Sequence, residues 1–429
     1  MLPASIPIPL PEGLAVPLPK FVRVRQTFDG SEVTDVAGAV AAEFAKFSHI
    51  DLRDKRVAVT VGSRGIRSQK PVVVAVVEGL KAAGAKPFIV PAMGSHGGGT
   101  AEGQQKIVEE YGMGGDDLGV PLLSSMEVVE LARVADDLAV YCDKNAYEAD
   151  YIVPLNRVKP HTSFRGKNES GLAKMIAIGL GKHTGAVEMH RRGMERFGEL
   201  LPIVTEAFIE KTNVLFGVAI IENGYEKLKH VEFVAPENIV LRDQELLEIA
   251  KASIPKIHLS EMDVLIVDQI GKDISGAGMD PNVTGRNNCR MNDFDGPEMR
   301  QIVVSDLTDN TKGNGTGVGV ANVTTQRLVG KMNWSKSYVN VVTAGVPQGA
   351  GLPLVANNDE EALYIAMRGC PMISAENGRI VRIENTLDLS EIWVSTGLIE
   401  QVNANPDMEV ISEPFEVTFD ADGAMAAFH

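Results

Sequence analysis

The chain has 429 residues, more than one ordinary hydrophobic core accommodates, so we expect two domains. A formal charge of −16, from 41 basic and 57 acidic residues, disfavours nucleic acid or an anionic membrane as a partner but is compatible with a small anionic substrate. No apolar stretch reaches the roughly 20 residues that cross a bilayer. The three cysteines are too few for a disulfide framework or a four-cysteine metal site, which favours a reducing cytoplasm.

The first residues, 1–19, are rich in proline and lack the basic start and continuous apolar core of a signal peptide. We expect them to form an extended arm that packs on the surface or on another subunit of a homo-oligomer.

Strand-like and helix-like segments alternate from Lys55 onward. Strand-like apolar runs begin at residues 56, 86 and 151, the first of them rich in valine, and helical periodicity lies between the first two. This alternation predicts a parallel α/β sheet, in which ligands bind at the loops beyond the carboxyl ends of the strands. Arg64, His96 and His161 each fall in such a loop, so the sequence predicts a site there.

Later segments extend the pattern. Residues 213–239 read as a β-hairpin with a turn at Gly224, and a helix then leads to a fresh strand. We place a boundary near Pro255, with a cofactor-binding domain at 1–255 and a carboxy-terminal α/β domain at 256–429. The predicted class is α/β, with two α/β domains, mixed or parallel sheets and an active site in the interdomain cleft. The glycine-rich run 313–320 lacks dinucleotide-loop spacing and is read as a flexible turn.

The segment 157–190 concentrates three of the eight histidines of the chain. His161 follows a Lys-Pro pair, which favours extended backbone. Asn168 or Ser170 could cap a helix start, which would put Lys174 in the first turn, where free amides and the helix dipole favour an anion such as a phosphate. The alternative is a capped core helix with solvated basic residues.

These residues resemble the nickel-dependent lactate racemase family, whose proteins have a LarA-like amino-terminal domain, over roughly residues 10–250. The family pattern is approximately P-H-x(3)-G-x-S-G-G-R-K. Pro160-His161 matches its histidine portion at a longer spacing, and Ser170–Lys174 matches its lysine portion. In that family a nickel ion is held by a lysine-tethered pincer nucleotide, pyridinium-3,5-bisthiocarboxylic acid mononucleotide. The resemblance therefore implies a nickel cofactor and cofactor-synthesis enzymes as partners.

The resemblance also implies roles for individual residues. His96 and His161 would be the catalytic bases, and Arg64 would bind the substrate carboxylate. His190 would bind nickel, with His183 as a competitor. The residues that would hold the cofactor are Lys174 as the tether, with Asn168, Ser170 and Gly171 around its phosphate.

Two departures from the family concern the substrate. The usual Asp-x-Thr-Arg reads Val-Gly-Ser-Arg at 61–64, so a carboxylate is missing. The family's later lysine and glutamine have no clear counterparts, and Lys272, Asn282 or Arg286 are the candidates to replace them. These differences favour a 2-hydroxy acid other than lactate, or one larger than it.

The chemistry explains the residue types. Inverting an unactivated C–H centre can proceed by transient hydride transfer to a cofactor, with histidines near neutral pKa exchanging the hydroxyl proton. The resemblance thus implies an isomerase, a racemase or epimerase of a 2-hydroxy acid. The alternatives are a hydroxy-acid oxidoreductase, nicotinamide-dependent or NAD-independent, and a non-catalytic metal- or nucleotide-binding relative.

Overall fold

The computed structural model describes residues 3, 5–62, 66–288 and 294–428. It confirms the predicted α/β class, because helices combine with sheets of parallel and antiparallel strands. The chain divides into two compact units, Asp29–Ile254 and Met1–Phe28 joined with Pro255–His429. The predicted first domain differs from the observed unit at its amino terminus, since residues 1–28 group with the carboxy-terminal half. Within the described ranges, no helix combines the length and apolar character required to cross a membrane.

The strands alternate with helices in both units. In chain order they are β1 (Phe21–Gln26), β2 (Arg56–Val61), β3 (Lys86–Pro91), β4 (Val128–Val134), β5 (Leu138–Asp143), β6 (Tyr151–Val153), β7 (Leu155–Arg157), β8 (Gly217–Glu222), β9 (Leu228–Val234), β10 (Glu261–Ile270), β11 (Glu298–Leu307), β12 (Val323–Thr325), β13 (Leu354–Ala356), β14 (Ile380–Ile383), β15 (Glu391–Ser395) and β16 (Met408–Val410).

The α-helices are α1 (Val36–Ala45), α2 (Gln69–Ala82), α3 (Ala101–Glu110), α4 (Gly115–Leu118), α5 (Lys144–Tyr147), α6 (Leu172–Lys174), α7 (Lys182–His190), α8 (Phe197–Lys211), α9 (Ile239–Ser253), α10 (Pro281–Thr284), α11 (Gln326–Lys331), α12 (Trp334–Thr343), α13 (Asp359–Arg368) and α14 (Ile399–Ala404). A π-helix, Met175–Leu180, joins α6 to α7. Short 3₁₀ turns cover Gly97–Gly99, Ala135–Asp137, Met194–Arg196, Pro236–Asn238, Val318–Val320, Pro347–Ala350 and Thr396–Leu398.

The sheet that positions the site lies in the unit Asp29–Ile254 and has the order β3-β2-β6, with all three strands parallel. The valines of β2 are buried, and helix α2 packs its apolar side chains against the same core. Because parallel strands end at one edge of a sheet, the carboxyl ends of β2 and β3 lie side by side, with Val61 opposite Pro91.

A second small sheet of this unit has the order β7-β8-β9. Strand β7 follows β6 after Pro154 and pairs in parallel with β8, while β8 and β9 are antiparallel. The hairpin predicted over 213–239 is thereby confirmed, with Asn223 closing its turn against the backbone of Lys227.

The other unit is built on an eight-stranded sheet with the order β13-β12-β11-β10-β14-β15-β1-β16. Strands β10 to β14 are parallel, and β15, β1 and β16 complete one side in antiparallel pairs. The described residues of the proline-rich arm lie on their own unit, where Ile6 bonds Asn357 and Arg368 binds Glu12. The segment predicted as a flexible turn at 313–320 is instead tightly packed, since a Cβ on Gly317 would lie 2.2 Å from the carbonyl oxygen of Ala277.

Candidate active site

An open pocket lies where the strands of the unit Asp29–Ile254 end, and its volume of about 690 Å³ includes space open to solvent. No aspartate or glutamate is found among its described lining residues, whereas Arg157 and Lys159 contribute cationic groups and Lys174 contributes an amine. The pocket therefore favours an anionic ligand. Its lining residues are Gly62, Ile66, Ala92, Met93, His96, Asn156, Arg157, Lys159, Ser170, Lys174, Met175, Ile178 and Gly179.

Lys174, on this lining, is in direct contact with His161. The Nζ of Lys174 lies 2.6 Å from the Nε2 of His161, and the backbone N–H of Ser163 donates to the other ring nitrogen, Nδ1, at 3.0 Å. His161 is 7% exposed, and its ring stacks on Phe164 with 4.2 Å between the ring centroids. Both nitrogens are thus engaged, so the orientation of the imidazole is fixed.

The loop that carries His161 is held around a buried carboxylate, Glu169. Its Oε2 accepts the backbone N–H of His161 at 2.6 Å and a guanidinium N–H of Arg165 at 3.1 Å. Burial raises the pKa of Glu169, against the lowering effect of these partners. Lys159 and Ser170 close the base of the loop by exchanging backbone hydrogen bonds. Sequence reasoning overlooked Glu169 because nothing in the local pattern predicts that this carboxylate turns inward.

His190 is placed at the end of α7, and its Nδ1–H donates to the carbonyl oxygen of Ala186 at 2.6 Å. This bond leaves the lone pair of Nε2 for another partner, as in histidines that bind metals. Burial lowers the pKa of His190, and the charge of Lys174 lowers it further when that amine is protonated. His183, the competitor on the same helix, is exposed.

A row of aromatic rings connects His190 to His161. The ring of His190 meets Phe197 edge-on at 5.2 Å, Phe197 contacts Phe164 at 5.2 Å, and Phe164 stacks on His161. The structure therefore brings Lys174, His161 and His190 into one neighbourhood.

The donor set tests whether a metal could bind here through protein ligands alone. Within the part of the chain that the structure describes, no group of three or more histidine, cysteine, aspartate or glutamate side chains could hold a metal ion. A metal bound to His190 would therefore take at most one further histidine, cysteine, aspartate or glutamate ligand from these residues.

The start of helix α6 differs from the prediction. The carboxylate of Asp243, from α9, accepts the backbone N–H groups of Leu172 at 3.0 Å and Ala173 at 3.1 Å. Asn168 does not cap this helix, because its side-chain amide bonds Val240 and Gln244 instead. The amides that were expected to bind a phosphate are thus occupied by an anion of the chain itself.

Gly171 is required at this helix start by the closeness of Asp243. A Cβ on Gly171 would lie 2.2 Å from Oδ1 of Asp243. Full burial raises the pKa of Asp243 to about 6, despite the hydrogen bonds to its carboxylate. Ser170, the remaining member of the predicted phosphate site, is buried and lines the pocket.

His96 lines the same pocket from the glycine loop after β3, and its side chain is exposed. The loop is held from inside, where Nε2 of Gln104 donates to the carbonyl oxygens of Gly94 at 2.8 Å and His96 at 3.2 Å. The Oε1 of Gln104 accepts from Lys182 Nζ at 2.7 Å, and the same amine donates to Pro91.

Lys182 is fully buried, although a lysine is ordinarily expected in solvent. Its backbone is left-handed, with φ +55°, and its Nζ lies 3.4 Å from Asp143 Oδ2. Burial lowers the pKa of Lys182 and raises that of Asp143, and their mutual attraction opposes both shifts. Sequence reasoning missed this pair because its members lie on separate elements.

The three predicted substrate-binding residues have different outcomes. Arg64 lies outside the described residues. Lys272 and Arg286 belong to the other unit, where Lys272 bonds Gly276. The guanidinium of Arg286 donates to the carbonyl oxygens of Met299 at 2.9 Å and Arg300 at 2.7 Å, and also to Asn322. Arg286 therefore stabilises its own unit, and its hydrogen-bonding capacity is largely used there.

Two cations that sequence reasoning did not select line the pocket instead. Arg157 pairs with the buried carboxylate of Glu222, which also accepts from the backbone and hydroxyl of Ser68. Lys159 is the second. Both residues lie in the run that directly precedes His161, and this closeness in sequence was the signal that could have identified them.

The comparisons agree with an α/β protein of this kind. The family model described as a domain of unknown function, DUF362, matches residues 60–284, more than half of the chain, and the chain belongs to that family. The structure of the lactate racemase apoprotein from Thermoanaerobacterium thermosaccharolyticum is similar, with 12% sequence identity and a TM-score of 0.50. The match covers 89% of this chain and 95% of that one, and it shows a shared fold. No curated protein matches the sequence.

Proposed function

We propose that this protein is a nickel-dependent racemase or epimerase of a 2-hydroxy acid, lactate-like or larger. The observation that carries the proposal is the convergence of Lys174, His161 and His190 beside a cationic pocket that His96 also lines. The fold shared with a lactate racemase apoprotein supports it as an analogy.

The residues present fit the lysine-tethered nickel-pincer nucleotide in two of three respects. Lys174 would be the tether, and His190 would bind nickel through Nε2, since Nδ1 is held by Ala186. The phosphate does not fit the start of α6, where Asp243 is bound, and Arg157 and Lys159 are the cations that would take an anion instead. When bound, this cofactor supplies an electrophilic carbon for the hydrogen of the substrate C2.

The chain's own residues would supply proton transfer and positioning. His96, exposed at the pocket, would take the proton of the substrate hydroxyl as a neutral imidazole. His161 would exchange its proton through Nε2, because Nδ1 accepts from Ser163. The pocket cations would hold the substrate carboxylate by charge-assisted hydrogen bonds, which fixes the face presented to each base.

The decisive experiment uses the full chain produced together with cofactor-synthesis enzymes. Intact mass and metal analysis should show an adduct of several hundred daltons on Lys174, with nickel equimolar to the chain. The Lys174→Ala variant should lose the adduct, while the matched control Lys106→Ala, at an exposed lysine of α3, should keep it. Loaded protein should then interconvert the enantiomers of a 2-hydroxy acid. An unmodified mass without nickel would refute the proposal.

A further inference from the structure

The hydrogen bond between Lys174 and His161 has a direction that the other ring contact determines. A neutral imidazole carries its proton on one nitrogen only. Because the backbone N–H of Ser163 donates to Nδ1, the proton of the neutral ring is on Nε2. Nε2 lies 2.6 Å from Lys174 Nζ and therefore donates to it. An ammonium group has no lone pair and cannot accept this bond.

We propose that Lys174 is held as a neutral amine and is a nucleophile for the carbonyl carbon of an anionic acyl compound. This inference deepens the proposed function, because it concerns the same lysine and states how the amine becomes reactive. It extends to electrophiles other than the cofactor, since the argument depends only on the chain's own contacts.

The charges around Lys174 favour the same protonation state. Lys159 lines the pocket with it, and a further positive charge beside this cation is unfavourable. Arg157 and Glu222 form an ion pair, so their charges offset one another. Oε2 of Glu169 is bound to Arg165 and the backbone of His161, and Asp243 is bound to the backbone of Leu172 and Ala173.

The chemistry balances with acetic anhydride as the test electrophile. The lone pair of Nζ forms an N–C bond to one carbonyl carbon, and the C–O bond to the departing acetate breaks with its electron pair. The surplus proton on nitrogen passes to water. No oxidant or reductant takes part. The hydrogen bond from Nε2 yields as the lone pair turns to the electrophile, and the cationic pocket would attract an acyl donor that carries a carboxylate or phosphate.

The experiment measures the acetylation rate of Lys174 in the full chain without cofactor, from pH 9 to pH 7. Deuterated anhydride added after unfolding labels the remaining amines, so peptide masses give the modified fraction of each lysine. An ordinary lysine, with pKa near 10.4, slows about 100-fold over this range. The exposed Lys106, whose side chain is 76% accessible, serves as that reference. Lys174 should slow less than about fivefold. A decline as steep as that of Lys106 would overturn the proposal.

A second measurement tests the ring directly. Nitrogen chemical shifts of ¹⁵N-histidine-labelled protein distinguish the two neutral tautomers, and His161→Gln assigns the resonance. The proton of His161 should be on Nε2. A proton on Nδ1 would contradict the hydrogen bond from Ser163 and with it the neutral amine.

Two variants locate the cause. His161→Leu should restore the steep pH dependence of Lys174, since Nε2 is gone. The control His183→Leu removes an exposed imidazole of α7 and should leave the dependence shallow. If the control steepens it equally, the contact with His161 is not the cause and the inference fails.

The two proposals fail separately. If the labelling profile is shallow but the chain binds no nickel when made with the cofactor-synthesis enzymes, the proposal of a reactive lysine stands and the racemase proposal fails. If the profile is steep but the chain acquires the adduct and racemises its substrate, the racemase proposal stands and the proposal of a reactive lysine fails.

Discussion

The two histidines that we propose for proton transfer are held in opposite ways. His161 is buried, stacked on an aromatic ring and bound at both nitrogens. His96 is exposed on a glycine loop. The buried side chain of Gln104, which is bound to Lys182, holds that loop from beneath. The position of His161 is thus fixed by contacts of its own side chain, and that of His96 by the backbone of its loop. Mutations near the two histidines should therefore affect stability differently.

The largest effect should come from the network beneath His96. Lys182→Met leaves the carboxylate of Asp143 buried without its cation and should cost about 3–5 kcal/mol of unfolding free energy. Denaturant unfolding, with hydrogen exchange resolving the strand β3 and helix α3, measures this loss. Lys106→Met, on an exposed lysine, should change it by less than about 0.5 kcal/mol. Adding Asp143→Asn to Lys182→Met should recover part of the stability. Equal effects at Lys182 and Lys106 would exclude the network.

On the side of His161, Asp243 predicts a pH effect. Burial raises its pKa from 3.8 to about 6 in the fold. The folded state therefore binds this proton more tightly than the unfolded state, and the contribution of Asp243 to stability falls as the pH rises between these values. The shift of about two pKa units corresponds to about 3 kcal/mol. The difference in unfolding free energy between wild type and Asp243→Asn should change by up to this amount from pH 4 to pH 7. A constant difference would contradict the assignment.

A smaller effect should follow from crowding the same carboxylate. Gly171→Ala places a Cβ where Oδ1 of Asp243 would be 2.2 Å away, and should cost about 1–3 kcal/mol. The backbone at Gly171 is extended, with φ 172°, so the cost is one of contact rather than of conformation. Gly330→Ala is a matched control in helix α11, because a Cβ there meets nothing within 4 Å. Thermal and denaturant unfolding should find the control neutral or stabilised; a loss at Gly330 equal to that at Gly171 would exclude the contact.

The smallest effect is expected at His96, and its comparison with His161 tests directly whether the two histidines are held differently. His96→Ala removes an exposed side chain and should change the unfolding free energy by less than about 0.5 kcal/mol. His161→Ala should cost about 1–3 kcal/mol, since it leaves the N–H of Ser163 without its acceptor and removes the stack on Phe164. Parallel unfolding curves measure both. Equal losses would mean that the two histidines are held alike.

The sequence predicted what depends on short segments. The buried strands β2 and β3 are apolar runs, and the residues after them are polar or glycine, so the position of His96 at a strand end followed directly. The hairpin of β8 and β9 was predicted from the glycine of its turn. Lys174 and His161 were selected from a motif, and the structure places them in contact.

What the sequence did not predict depends on partners distant along the chain. Asp243 occupies amides of residues about 70 positions earlier, and nothing near Leu172 indicates it. Lys182 reaches Gln104 across 78 positions, and a lysine is ordinarily expected in solvent. Strand β1 was read as part of the first domain because its partners, β15 and β16, come after residue 390.

The position of β1 has a consequence for how this chain is made. Synthesis completes β1 early, yet its neighbours on both sides, β15 and β16, are among the last strands to appear. The unit Asp29–Ile254 is continuous in sequence and can fold before β1 has paired with another strand. The other unit must bring together β1 and β15, which are separated by more than 360 residues. Until the carboxy-terminal strands arrive, β1 presents two open edges that a chaperone or a second chain could cover.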